Sequence, residues 1–233
     1  MLIDIGNTNT KIKYEIVTTI ESNPDLTIKD LVEKIGEFKF LGELEVKNVV
    51  ISSVVPKLTD LYVKYCKEIL ELEPLIVSNK TSKYEITTNE EVGADVLATV
   101  NAVVGEAIIV MLGTATVISY VNDGLLLGVI IAPGVLTSIK SLIGSTALLK
   151  DFEIDAPIEV LGRNSTEGLK SGAIYGHSAM IDGLIDRINP TNEVKIIAMG
   201  GFANKIIPLC KHDIEIDNDL LFKGLIKIYE HSL

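Results

Sequence analysis

The stretch Leu2-Ile3-Asp4-Ile5-Gly6-Asn7-Thr8-Asn9-Thr10-Lys11 decides how the rest of the chain is read. A short apolar run ends in an acid, followed by a glycine and a row of small amide and hydroxyl side chains. Alternation resumes in Lys11-Ile12-Lys13-Tyr14-Glu15-Ile16, which predicts a second strand with one buried face. The pattern is a β-hairpin whose tight turn gathers backbone N–H groups, hydroxyls and one carboxylate. Phosphate oxygens accept from such donors, and Mg²⁺ binds such a carboxylate. A polar turn without a ligand fits the same residues, and the stretch alone leaves both readings open.

Composition narrows the field. The chain has 233 residues, 47% hydrophobic and 23% charged, which is ample for a packed core and unlike a disordered chain. Tryptophan is absent, so Ile, Val and Leu must fill the interior. A formal net charge of -11 argues against a nucleic-acid surface, and no basic cluster overrides it. Cys66 and Cys210 lack metal spacing and read as two buried thiols. No apolar run is long enough, uninterrupted, to span a bilayer, and no secretory signal opens the chain. A soluble, cytoplasmic protein is expected, with no membrane partner.

Downstream, a helix is expected from Pro24–Asp30 onward, capped by Asp25 or Thr27, with Leu31, Ile35 and Phe38 on one face. Val46–Pro56 reads as a buried parallel strand ending at Ser52-Ser53, where ligand contacts are natural in an open α/β sheet. A helix over 58–72 and a strand over 75–77 follow. Gly93-Ala94-Asp95 opens another helix. Asp95 in its first turn has two readings: a helix cap, or a base that takes a proton from a substrate hydroxyl. Spacing alone favours the cap.

The second half begins as the first does. Ile108–Leu112 is a strand, Gly113-Thr114-Ala115-Thr116 a turn of small residues, and Val117–Val121 a returning strand. Placing Gly6 on Gly113 gives an offset of 107 residues, which sets Asp4 on Met111 and Thr8 on Ala115. Asn122-Asp123-Gly124 predicts a hairpin turn. Ala132-Pro133-Gly134 breaks the next strand before a helix over 136–149. Ser165 or Thr166 is expected to cap a long helix, and Val194–Met199 forms a strand ending at Gly200-Gly201. A last helix over 220–231 closes the chain. The repetition predicts two α/β lobes, 1–105 with the first phosphate turn and the Asp95 helix, and 106–233 with the second turn and the glycine pair. Phosphate-compatible turns facing each other describe a nucleotide cleft between the lobes.

These residues resemble the type III pantothenate kinases, of the acetate kinase, sugar kinase, Hsc70 and actin superfamily, over nearly the whole chain. The resemblance rests on Asp4-x-Gly6-Asn7-Thr8, Ser52-Ser53-Val54-Val55-Pro56, Gly93-Ala94-Asp95, Gly113–Thr116, Ala132-Pro133-Gly134, Asn164–Thr166, Ser171-Gly172 through Tyr175-Gly176, and Gly200-Gly201 in order. It implies an actin-like ATPase (ribonuclease H-like) fold and transfer of the ATP γ-phosphoryl group to pantothenate, the first step of coenzyme A synthesis. It implies Mg²⁺ at Asp4, nucleotide contacts from Gly6, Asn7, Thr8, Lys11, Gly113, Thr114, Ala115, Gly200 and Gly201, and Asp95 as general base. Pantothenate contacts would come from Tyr84, Gly93, Ala94 and Thr166, the last from the partner in a homodimer.

The chain also departs from the family pattern. Val96 stands where the family has an arginine for the substrate carboxylate. Met111 stands where an aspartate helps hold a monovalent cation (K⁺ or NH₄⁺), and a thioether is a poor ligand for a hard ion. Asn89-Glu90 replaces Asn-Pro, and Gly128-Val129 replaces Gly-Gly. These departures leave two alternatives: a degenerate paralogue with a regulatory or interaction role, like Bvg accessory factor, or a kinase for another small hydroxylated acceptor.

Overall fold

Strands β1 (Leu2–Ile5) and β2 (Asn9–Lys13) form the hairpin expected from the opening alternation. The computed structural model describes residues 1–36, 46–86, 92–145, 154, 159–189, 191 and 193–233. Phe38, Asn89, Glu90 and residues 146–149 of an expected helix lie outside that set. The described chain divides into two units, Met1–Val103 with Leu220–Leu233, and Val104–Asp219. The C-terminal helix, grouped by sequence with the second lobe, thus belongs to the first unit.

In the first unit the sheet runs β3-β2-β1-β4-β5, with β3 (Val17–Glu21), β4 (Val50–Ser53) and β5 (Leu75–Ile76). The hairpin pairs are antiparallel, and β4 and β5 continue in parallel. The alternation expected to run to Ile16 stops at Lys13. Ile16 is exposed in a turn, and the chain comes back as β3. Helices α1 (Ile28–Gly36) and α2 (Pro56–Glu68) cover one face. Thr27 is the cap of α1: its Oγ1 accepts from the Asp30 N–H at 3.3 Å, and Asp30 accepts from the Thr27 N–H at 2.8 Å. Pro56 takes the first position of α2, where a missing N–H costs nothing. Leu70–Leu72, expected within α2, lie past its end. Glu71 adopts φ 56°, and the Leu72 N–H turns back to the Cys66 carbonyl. A 3₁₀ turn (Asn79–Thr81) and the short strand β6 (Glu85–Ile86) lead to α3 (Ala94–Asn101). Helix α7 (Leu220–Ser232) packs on α3 and on β4.

The second unit repeats the plan. Its strands β7 (Ala107–Leu112), β8 (Ala115–Asn122), β9 (Leu125–Pro133), β10 (Lys195–Met199) and β11 (Glu215–Ile216) run in the order β11-β10-β7-β8-β9. Asp123 and Gly124 take φ 44° and 85°, the two positive values of a type I′ hairpin turn. Helices α4 (Val135–Gly144), α5 (Ser165–Ile188) and α6 (Ala203–Ile206) bury Ile139, Ile174, Ile181 and Ile206 against Ile108, Val110 and Ile118. The cap of α5 is Asn164, ahead of the expected Ser165 or Thr166. Its side chain accepts from the Glu167 N–H at 3.0 Å, while Glu167 reaches back to the Arg163 N–H at 2.7 Å. Cys66 is buried and Cys210 half-buried. Both are free thiols, pushed by burial up to about 11 and about 12.

Candidate active site

Alternation along β1 sends Ile3 and Ile5 into the α1–α2 core, so Asp4 points to the opposite face, where α3 and α7 lie. In register, Asp4 lies between Lys11 of β2 and Ser52 of β4. The fully buried Ser52 donates its Oγ hydrogen to Asp4 Oδ1 at 3.2 Å. Ser52 was marked in the sequence only as a ligand contact, and the structure shows it orienting a carboxylate. Burial raises the Asp4 pKa from an ordinary 3.8 to about 6, and the negative charge of Asp95 adds to the rise. Lys11 and the Ser52 hydrogen bond oppose it.

Asp95 occupies the first turn of α3, behind Gly93 at the cap position. Its Oδ1 accepts from the Val96 N–H at 2.8 Å, so the carboxylate satisfies one of the helix's orphan donors. A Cβ on Gly93 would lie 2.6 Å from that oxygen, so glycine leaves the room in which the carboxylate folds back. Burial raises the Asp95 pKa, against the pull of the Val96 N–H and its own. The hydrogen bond fixes the carboxylate at the helix start, as the cap reading expects, and desolvation strengthens its hold on a proton. Two half-buried carboxylates, both shifted upward by desolvation, with the Asp95 charge adding to the shift at Asp4, suit proton or metal chemistry.

Around Asp4 the turn is open. The Gly6 N–H donates to Asn9 O at 3.0 Å, the Ser22 N–H to Thr8 O at 2.9 Å, and Asn7, Thr8 and Asn9 are exposed. The second turn is similar in form, with Gly113 N–H donating to Ala115 O at 3.0 Å. It is one residue shorter: Ile5 pairs with Thr10, but Leu112 pairs with Thr116. The offset of 107 therefore becomes 106 after the turn, and Ala115 corresponds to Asn9 rather than to Thr8. Thr114 O accepts from Gly134 N–H at 3.0 Å and from Thr137 Oγ1 at 2.6 Å. A Cβ on Gly134 would fall 2.2 Å from Gly113 O, so that glycine lets the corner after β9 press against the turn.

Gly200 has a similar structural duty. Its φ is 114°, and a Cβ there would lie 2.4 Å from Leu112 O. Its N–H donates to Asn218 Oδ1 at 3.1 Å. Gly201 is exposed and faces open space. Among the expected substrate contacts, Gly93 and Ala94 lie beside Asp95, and Thr166 is exposed on the first turn of α5. Tyr84 departs from expectation. It is buried, and its hydroxyl donates to Val103 O at 3.0 Å, past the end of α3 remote from Asp95, roughly 12 Å along the helix axis. Val96 is buried, so no cation projects from that position.

A family model described as "Type III pantothenate kinase" matches residues 1–187. The chain is 32% identical to the type III pantothenate kinase of Acholeplasma laidlawii, covering 100% of this chain and 99% of that protein. It is 33% identical to the enzyme of that name from Dictyoglomus turgidum, again over 100% and 99%. Among solved structures, the fold is similar to a Campylobacter jejuni protein described as a Baf-family transcriptional activator, with TM-score 0.68, 19% identity and 99% and 98% of the two chains covered. It is also similar to a Sinorhizobium meliloti protein described as a 2-dehydro-3-deoxygalactonokinase, with TM-score 0.60, 10% identity and 99% and 98% covered. Two mixed α/β units repeating one strand order agree with that sugar-kinase-like fold. Fold, motif order and whole-length identity converge: the chain belongs to the type III pantothenate kinase family.

Proposed function

We propose that this chain is an ATP-dependent pantothenate kinase, producing 4'-phosphopantothenate at the start of coenzyme A synthesis. The observation that carries the reading is the half-buried Asp95 carboxylate, held at the start of α3 with its charge acting on Asp4. Phosphoryl transfer needs positioned reactants and neutralised charge more than covalent help. The primary hydroxyl oxygen bonds to the γ-phosphorus as the bond to the β–γ bridging oxygen breaks and ADP departs. Asp95 takes the hydroxyl proton, and an upward-shifted carboxylate is the better base for it.

The residues fit a hard divalent ion. Asp4 is a half-buried carboxylate on which the Asp95 charge acts, with Lys11 opposing it. Mg²⁺ commonly needs only one or two carboxylates, with substrate phosphates and water completing its shell. Asp4 would hold Mg²⁺, which when bound offsets charge on the phosphates. Met111, in register with Met199 and Val117, offers no fit for K⁺ or NH₄⁺. Backbone and side-chain donors of Gly6, Asn7, Thr8, Lys11, Gly113, Thr114 and Ala115 would serve ATP, with Gly201 toward its adenosine. Gly93, Ala94 and Thr166 would serve pantothenate, Thr166 from the partner of a homodimer.

The test is ADP release with and without pantothenate and Mg²⁺, in wild type and Asp95→Asn. An equal background rate in both proteins would end the kinase reading. Val96 favours a second reading, a paralogue that binds nucleotide and has lost its acceptor. Calorimetry separates the two, since tight pantothenate binding removes the second reading. A screen of other small hydroxylated acceptors tests whether pantothenate is the right one.

A further inference from the structure

The geometry points to Gly224, on the last helix, as a positioning residue for Asp95. Helix α7 buries Leu220, Leu221, Phe222, Leu225 and Ile228. A glycine among them is disfavoured by helix propensity, so its presence asks for a packing reason. The reason lies on α3. A Cβ on Gly224 would fall 1.6 Å from Ala98 O and 3.3 Å from Ala102 N, both backbone atoms. No side-chain rotation relieves that contact. Since carbon and oxygen approach no closer than about 3.3 Å, α7 would have to withdraw by roughly 1.5–2 Å.

Ala98 lies one helical turn beyond Asp95. An eight-residue helix cannot fix its own axis, so what packs against it does. Strand β4 and helix α7 both press on α3. The backbone-to-backbone seat at Gly224 thus sets where the first turn of α3, and with it the carboxylate, comes to rest. A misplacement of about 1 Å at a reacting group can cost about 100-fold in rate.

The inference rests on Asp95 acting as the base, and the experiment separates failure of one from failure of the other. Full-length Gly224→Ala is compared with wild type at a temperature where circular dichroism shows both folded. Ile181→Val, a core change in α5, serves as a control of lowered melting temperature. We expect kcat to fall at least ~10-fold in Gly224→Ala with KM for ATP within ~2-fold, and the control to keep its kcat. Hydrogen exchange without substrates should show faster exchange at Val96 with α2 unchanged. That readout needs no activity, so it decides the positioning role even if the wild type proves inactive. Should Gly224→Ala not fold, Leu225→Val, which trims a fully buried neighbour, should give the same selective exchange change with a smaller loss of kcat. Unchanged kcat in a folded variant, or exchange rising equally in α2 and α3, overturns the proposal.

Discussion

The two glycine turns hold equivalent places in their sheets, and the side chains beside them differ in kind. In the first unit β1 runs between antiparallel β2 and parallel β4, and in the second β7 runs between antiparallel β8 and parallel β10. The row across the first sheet reads Lys11–Asp4–Ser52, while the matching row in the second reads Val117–Met111–Met199. The first row is polar throughout and carries a carboxylate raised to about 6. The second is apolar throughout. Backbone presentation is thus duplicated and ionisable chemistry is not, and the acid–base and metal roles proposed for Asp95 and Asp4 both fall in the first unit.

The largest expected effect removes the proposed base. Asp95→Asn keeps an acceptor for the Val96 N–H but cannot take the hydroxyl proton, so kcat should drop about 10²–10⁴-fold with little change in melting temperature. Steady-state ADP release checks it. A loss under tenfold would shift the base elsewhere and break the contrast between the units.

Next, the second row can be made to imitate the first. Met111 is only 9% exposed, so Met111→Asp buries a charge with no cation beside it in register, at a cost of about 3–5 kcal/mol at pH 7. Adding Met199→Ser rebuilds the Asp4–Ser52 pairing and should return part of the loss. Urea unfolding measures both. If Met111→Asp costs nothing, the second row is wetter than its composition states.

Asp4→Asn runs the comparison in reverse. The folded pKa of about 6 lies above the ordinary 3.8, so the folded protein holds this proton more tightly than the unfolded chain. The stability penalty is absent below pH 3.8, grows as pH rises toward 6, and is constant above. Its full size is about 3 kcal/mol, so Asp4→Asn should stabilise the substrate-free protein at pH 7 by up to that amount and not at pH 3.5. Kinase activity should fall with it, a trade of stability for function. Urea midpoints at the two pH values decide, and equal gains at both would show that the carboxylate is solvated.

How much of this was legible depended on whether the signal was local. Alternation over 2–13, the Asn122–Gly124 turn and the glycine turns carry their own backbone logic, and the structure follows them. Strand β3 was missed because only Ile20 of its five residues is buried, leaving too little period to read. Spacing alone favoured the cap at Asp95, and it could not show the room Gly93 leaves for the carboxylate or the effect of Asp95 on Asp4, distant in sequence. Tyr84 looked available from sequence, and only its bond to Val103 O shows it occupied. Helix α7 was periodic enough to find, but its partner α3 lies over a hundred residues away in sequence, and nothing local names it.

The smallest contrast is also the cleanest. Thr10 and Thr116 hold matching positions just past their turns, each 1% exposed. Thr10 Oγ1 shares a hydrogen bond with Ser22 Oγ at 3.0 Å, whereas Thr116 Oγ1 has no partner among the described residues. Replacing each by valine keeps the shape and removes the hydroxyl. Thr10→Val should cost about 1 kcal/mol, because a made bond is lost and Ser22 is left without it. Thr116→Val should be neutral or stabilising by about 1 kcal/mol, because a buried, unpaired hydroxyl is removed. Chemical denaturation of the two variants gives the sign directly. Equal losses would mean that Thr116 satisfies its hydroxyl in solution, and the second turn would then be as polar at its root as the first.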